Sequence, residues 1–416
     1  MAHPSYCGLD FGTSNSTIGL MSGVQAHLVP VEGNDTTIPS TLFFDFEENS
    51  AHFGRDAIST YMEGGEGRMM RALKSVLGTS TMEESTMIGK ERKPFKAVLG
   101  LFISHLKRKA EHQSQQNIDK VLMGRPVHFI DHDEKADRVA QDTLEEIARD
   151  CGFSHVEFEY EPVAAARDFA QSVTKEELAL IIDIGGGTSD FTILRVSPDH
   201  ALGQQDILAN TGVHVGGTDF DRWLGLARVM PLLGYQSPML KEGRLMPVGY
   251  YHDLATWQKI NFLYDHKTRN DLRNLRREAR QPQLIDRLIE LLDLREGHRL
   301  ALAIENGKIA LSEKPMTNIN LTFIEAGLMA EMTQTDIMMA LDDGVARVRQ
   351  TIEAALQQAD VAGEQITAVC LTGGSTKVPF VRQSLLGLLP EAEVVQRDAF
   401  GSVGTGLVLE AHHRFA

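Results

Sequence analysis

Cysteine is scarce: Cys7, Cys151 and Cys370 are the three in 416 residues, far apart and without zinc-type pairing. That excludes a cysteine-built zinc site and fits a reducing cytoplasm. Basic charge is also in deficit, with 41 Lys and Arg against 57 Asp and Glu and a formal net charge of −16. A nucleic-acid backbone is therefore excluded as the expected ligand, because such binders need a basic face. No apolar run reaches the roughly 18 residues of a membrane span. The N-terminus has neither a basic n-region nor an apolar h-region, so no signal peptide is expected. No low-complexity linker or long charged tail occurs. What remains is 42% hydrophobic content, enough for two or more cores.

One stretch organises the rest. Leu178, Ala179, Leu180, Ile181 and Ile182 read as a buried strand ending in Asp183. Gly185, Gly186, Gly187 and Thr188 make a turn, and Phe191–Val196 a second strand. Glycines at such a turn bring bare N–H groups close to an anion. Asp183 and Asp190 can hold a cation beside it, directly or through water. A glycine hairpin between core strands is the plainer reading. The N-terminus repeats the unit about 170 residues earlier: strand Tyr6–Asp10, turn Phe11–Asn15 with Gly12, Thr13 and Ser14, strand Ser16–Met21. Two such hairpins facing each other would grip one polyphosphate from both sides.

Along the chain, strands are expected at 26–31, 41–46, 121–127 and 156–160, and helices from Gly54, at 71–78, 93–109 and 134–150. Asp133 is a candidate N-cap and Gly152 a stop. Lys74 has no local partner, which by itself means a solvated lysine. His128, Asp131 and His132 lie close together but fit no standard ligand spacing. Pro162 starts a helix, placing Glu161 at a strand-to-helix junction. Beyond a second glycine turn at Gly216–Gly217, 230–251 is irregular and 253–311 almost wholly helical. Its arginines, from Arg269 to Arg280, alternate with Asp271 and Glu278 and read as a solvated face. A strand at 317–323, a helix at 336–359, a strand at 366–371, a helix at 378–389, a strand at 393–396 and a closing helix at 398–412 follow. Gly401, Gly404 and Gly406 give that last helix a small-residue face.

Four motifs occur in order: Gly8–Ser16, Glu161–Ala166, Asp183–Asp190 and Leu371–Lys377. Together with Ile38-Pro39-Ser40 and Gly216-Gly217-x-Asp219-Phe220-Asp221, they resemble the actin-like ATPase superfamily, specifically the nucleotide-binding domain of DnaK-type heat shock protein 70 chaperones. The irregular stretch from Met230 and the arginine-bearing insertion resemble the bacterial YegD-like branch. The similarity covers essentially the whole chain, and the ordered set is far more specific than any one motif.

The resemblance implies an α/β, two-lobed actin-like ATPase fold, each lobe a ribonuclease-H-like mixed β-sheet flanked by helices. Lobe I would be 1–172 completed by the C-terminal helix 396–416, and lobe II 173–395 with a helical insertion at about 228–312. It implies ATP or ADP with Mg2+. Asp10, Glu161 and Asp183 match the metal-holding acids, Lys74 the lysine that reaches the terminal phosphate, and Thr188 a further catalytic position. Gly12, Thr13, Ser14, Asn15, Gly185, Gly186, Gly187 and Thr188 match the phosphate loops, with Gly217 nearby. Glu305, Lys308 and Ser312 match the ribose and adenine helix. Gly373, Gly374, Ser375 and Lys377 match the adenosine loop, and Asp398 its closing contact.

Departures qualify the match. Ile309 and Lys377 stand where the family places two cations around adenine, and Thr218 replaces a glutamate. The sequence stops where the ATPase lobes end, so no peptide-binding β-sandwich is expected. The expected function is a slow, Mg-dependent ATPase acting as a nucleotide-controlled switch in the cytoplasm, with an unidentified protein partner and neither nucleic acid nor membrane. A small-molecule kinase or a filament-forming actin relative are the alternatives.

Overall fold

The computed structural model describes residues 5–198, 202–396 and 401–416. The chain divides into two compact units: Met1–Gly217 with Arg347–Thr376 and Gln383–Ala416, and Thr218–Ala346 with Lys377–Arg382.

In the first unit, the apolar run becomes the strand Glu177–Ile184, buried from Ala179 onward, as a strand covered on both faces must be. It pairs antiparallel with Ser189–Val196, which pairs antiparallel with Ile207–Val213. On its other side lie the parallel strands Ala368–Thr372 and Glu393–Gln396. The N-terminal half repeats this plan. Tyr6–Phe11 pairs antiparallel with Asn15–Ser22, which pairs with Gln25–Leu28. Lys120–Arg125 and His155–Tyr160 extend the sheet in parallel on the other side. Leaving aside the two-residue strand Ile38–Pro39, which also pairs with Asn15–Ser22, both sheets therefore run third, second, first, fourth, fifth in chain order. These are the mixed, helix-flanked sheets of the two-lobed actin-like ATPase fold, as the sequence led one to expect.

Two helices of this unit meet backbone to backbone. Glu161–Ala170 carries Pro162 in its first turn, and Ser402–Phe415 closes the chain. A Cβ on Gly406 would stand 1.7 Å from the Ala164 carbonyl oxygen, and one on Gly8 2.5 Å from the Val408 nitrogen. The small-residue face thus lets the last helix press onto both the first strand and the other helix. One apolar cluster runs through Ala164, Phe169, Leu407 and Ala411 to Leu122 of the first sheet and Ile181 and Cys370 of the second. Leu9, Phe11, Phe102, Val121 and Leu144 form another core on the opposite face of the first sheet. Helix Glu134–Asp150 begins as expected, with Asp133 accepting from the Ala136 N–H at 3.0 Å, and Gly152 follows its end at φ +88°.

Several expectations need correction. Residues 71–78 are not a helix. Arg71 ends the strand Gly67–Arg71, Ala72 takes φ +55°, and a 3-10 turn covers Leu73–Val76. The strands Ser50–Phe53, Ser85–Ile88 and Glu91–Pro94 and the strand Ile207–Val213 arise in stretches with no clean alternation. The closing helix starts at Ser402; Asp398 lies outside the described residues.

The second unit is mainly helical. The stretch 253–311 is broken rather than continuous: a 3-10 turn at Ile260–Tyr264, then helices His266–Glu278, Pro282–Asp293 and Gly297–Leu311. Asp265 caps the first by accepting from the Thr268 N–H at 2.6 Å, and Pro282 opens the second. The arginine face is laced with carboxylates. Arg269 lies 3.0 Å from Asp293, Arg276 bonds Asp286 through Nη2 at 2.8 Å, and Arg244 bonds Glu278 at 2.9 Å. Strands Met316–Asn320 and Met329–Thr333 form a two-stranded sheet. Among the described residues, no helix is long and apolar enough to cross a membrane.

Candidate active site

The two glycine turns face each other in the first unit. A Cβ on Gly186 would fall 2.2 Å from Ser14 Oγ and 3.0 Å from its backbone nitrogen, and one on Gly187 2.9 Å from Thr13 Oγ1. Only glycine permits that approach. Each turn is braced from behind. Ser40 Oγ donates to the Gly12 carbonyl at 2.7 Å, and its N–H to the Ser14 carbonyl at 2.9 Å. In the other turn Gly185 N–H donates to Thr188 O at 3.0 Å, and Gly217 N–H to Gly185 O at 2.9 Å. Ser375 Oγ also points at Gly185 O, 3.4 Å away, while Gly373 passes close to Asp183 at φ +79°. Gly374 begins the short 3-10 turn that follows, and Asn15 opens the second strand of the N-terminal hairpin.

Behind the turns lies a set of carboxylates around one lysine. Lys74 is 6% exposed, and its Nζ donates to Glu161 Oε1 at 2.5 Å. Its partner stands 87 residues away, which is why the local sequence read as a solvated lysine. The 3-10 turn after Ala72 aims it inward. Burial works to strip its proton, but Glu161 and Asp10 outweigh that and hold its pKa above the usual lysine range. Asp10 and Glu161 both border Gly124, whose missing side chain leaves them room. Burial and the nearby Glu161 push Asp10 up to about 7. The same two causes, with Asp190 and Asp10 adding, hold Asp183 well above the usual carboxylate range. Asp190 sits opposite Asp183 in the ladder, accepts from the Val127 N–H at 2.7 Å, and is raised to about 7 by burial and Glu161, against a bond from Thr188.

The arrangement is short of positive charge, and hard oxygen donors in such excess suit a hard dication. The one triad of His, Cys, Asp or Glu donors converging within 4.8 Å among the described residues is elsewhere, at Asp45, Glu48 and His52. Asp10, Glu161 and Asp183 do not close that far. They fit an ion that keeps its water shell, as Mg2+ does, and not a dehydrated one.

A small pocket opens in front of Lys74. Thr13, Ser75 and Thr188 give it hydroxyls, Gly187 gives backbone, and Pro126 and Phe129 give apolar walls. Sequence reasoning missed Ser75 and Phe129, which belong to no motif. His214 also lines it, with its N–H held by Asp131 at 2.8 Å. Asp131, noted beside two histidines as a metal possibility, serves as that acceptor.

The second unit carries another group of the predicted residues. Glu305, Lys308 and Ser312 lie along Gly297–Leu311 and its cap, with Lys377 in a separate segment. Lys308 is 7% exposed and pairs with Asp221 at 2.8 Å. Ile309, one residue on, is 55% exposed.

Comparison with known proteins follows the same residues. The family model described as Hsp70 protein matches residues 6–226 and 272–403. The chaperone protein DnaK of two Halobacterium salinarum strains, R1 and NRC-1, is in each case 25% identical over 409 residues, covering 96% of this chain and 54% of the relative. The chain thus spans about half the length of the curated relatives it matches. With both sheets, both glycine hairpins and the Lys74 site inside the matched residues, the chain belongs to the Hsp70 family.

Proposed function

We propose that these 416 residues bind ATP with Mg2+, hydrolyse it slowly, and act as a nucleotide-controlled conformational switch. The observation that carries this reading is the pair of apposed glycine turns with a buried lysine and carboxylates immediately behind them. Phosphoryl transfer needs mainly positioning and charge neutralisation, and these parts supply both.

In this reading the turn N–H groups and the hydroxyls of Thr13, Ser14 and Thr188 hold the phosphate chain. Lys74, kept protonated and aimed by Glu161, donates to the terminal phosphate and orients the attacking water. Asp10, Glu161 and Asp183 hold hydrated Mg2+, which when bound offsets the charge on the phosphates. Within the first unit, Gly373, Gly374 and Ser375 serve the nucleoside end of the same nucleotide. We take lobe I as 1–172 with 396–416 and lobe II as 173–395. In support, all strands of one large sheet fall in the first span and, but for Gln396, all of the other in the second. The YegD-like branch is our preferred placement; the family model leaves 227–271 unmatched, where the irregular segment lies. Among the described residues Cys7, Cys151 and Cys370 form no disulfide, and two of them are buried, which suits a cytoplasmic setting.

Mg-dependent release of phosphate from ATP by the purified chain tests the proposal. Asp183→Asn should slow turnover by about 10²–10³-fold, the usual loss for one charge-positioning group. Wild-type turnover in that variant, or none in the parent chain with Mg2+, would defeat it.

A further inference from the structure

Arg125 ends the strand Lys120–Arg125 and belongs to none of the motifs above. Its guanidinium makes four hydrogen bonds. Nε donates to the Pro126 carbonyl at 3.0 Å and Nη2 to the Val127 carbonyl at 3.2 Å. Nη2 also bonds Asp137 Oδ2 at 2.8 Å, and Nη1 bonds Gln141 Oε1 at 2.5 Å. Its Cζ lies 5.1 Å from the centroid of the Phe129 ring and 5.2 Å from that of the Tyr160 ring. So many directed contacts need a planar fork, which an ammonium cannot imitate.

What the fork holds is the wall of the pocket. Pro126 and Phe129 line it, and the buried Phe129 ring has its centroid 6.0 Å from Lys74 Nζ. Asp137 completes the clamp, because its other oxygen accepts from the Phe129 N–H at 2.6 Å. Tyr160 immediately precedes Glu161, the carboxylate that aims Lys74. A single side chain therefore braces the loop in front of the lysine and the residue before its partner. The side chain is 11% exposed and Asp137 16%, so the clamp is largely shielded from water and salt.

We propose that Arg125 is a positioning residue of the phosphate pocket, fixing Phe129 and Glu161 so that Lys74 meets the terminal phosphate of the bound nucleotide. This rests on the reading of that pocket given above. Arg125 does not itself line the pocket; it sets the geometry of residues that do. A misplacement of about 1 Å in a catalytic group can cost about 100-fold in rate.

The test is steady-state ATP hydrolysis and ADP binding by the 416-residue chain, wild type and Arg125→Ala, with turnover expressed per ADP-binding site. The expected result is a kcat lowered about 10–100-fold with the ADP Kd within about threefold, since ADP has no terminal phosphate to meet Lys74. Low-millimolar guanidinium should restore part of the lost kcat, which a stability defect alone would not allow. Asp137→Asn should lower kcat in the same direction and decides the matter if Arg125→Ala does not fold. Turnover within about twofold of wild type in the folded variant, or a loss that guanidinium leaves untouched, overturns the proposal. Lys74→Ala keeps the two readings apart: full activity there removes the pocket assignment itself, whereas an inactive Lys74→Ala beside a fully active Arg125→Ala removes only the role of Arg125.

Discussion

Replacing Lys74 by alanine would remove the cation that offsets Asp10, Glu161, Asp183 and Asp190. Its Nζ lies 2.5 Å from Glu161 Oε1. With an effective dielectric constant near 20, the attraction at that distance is about 7 kcal/mol. Desolvation of two buried charges takes much of that back, so the pair itself stabilises the fold by far less. Truncating one partner is a different matter, because the other is left buried and uncompensated. Such truncations cost about 3–5 kcal/mol, and that is the expected destabilisation near neutral pH without Mg2+. The cluster can escape by taking up a proton, so the penalty should shrink as pH falls toward about 5. Lys74→Ala combined with Glu161→Gln should recover most of the loss, with a coupling of about 2–3 kcal/mol. Urea denaturation in a chelator at several pH values, on wild type, both single variants and the double variant, measures all of this. A Lys74→Ala loss below about 1 kcal/mol, or one that does not vary with pH, would refute a buried, charge-compensating Lys74.

Three further expectations follow from the same geometry. Gly186→Ala forces a Cβ against Ser14, side chain and backbone alike, and should cost about 1–3 kcal/mol in denaturant unfolding, whereas Gly185→Ala meets only Thr188 O at 3.7 Å and should be near neutral; equal losses would mean the turns are not apposed. Asp10 and Asp190 titrate near 7 in the fold and near 4 unfolded, so the native state holds the extra protons between those values, and metal-free stability should fall as pH rises through that window, by up to about 1.4 kcal/mol per pH unit for each group. Urea midpoints at about pH 5 and about pH 8 should show that fall, and Mg2+ should reduce it; a rise would contradict the sign. Ile309→Arg has room, since Ile309 is 55% exposed and the neighbouring Lys308 is neutralised by Asp221. A guanidinium over adenine adds about 0.5–2 kcal/mol, so calorimetry should find ATP and ADP bound up to roughly tenfold tighter; unchanged constants would mean the base does not sit there.

The sequence by itself determined what depends on neighbours in the chain. The run Leu178–Ile182 could only be a covered strand, Asp133 could cap the helix that follows it, and the two strand–Asp–glycine turns announced two copies of one sheet plan. The family resemblance carried by the ordered motifs led to Asp10, Glu161 and Asp183 being expected as one metal-holding set. Local pattern failed where local preference was weak or overruled. Ile207–Val213 is an edge strand with mixed burial, and Ala72 at φ +55° turns an apparent helix into a strand end and a 3-10 turn. Only the tertiary structure decided what depends on distant partners. Lys74 became a buried ion rather than a solvated one because Glu161, 87 residues away, meets it. Gly186 and Gly406 became obligatory because Ser14 and the Ala164 backbone approach them. Arg125, in no motif, gained its place through Asp137, Phe129 and Tyr160. Periodicity and capping act over a few residues and are written in the chain; charge compensation and close approach act across space, and the fold alone sets who meets whom.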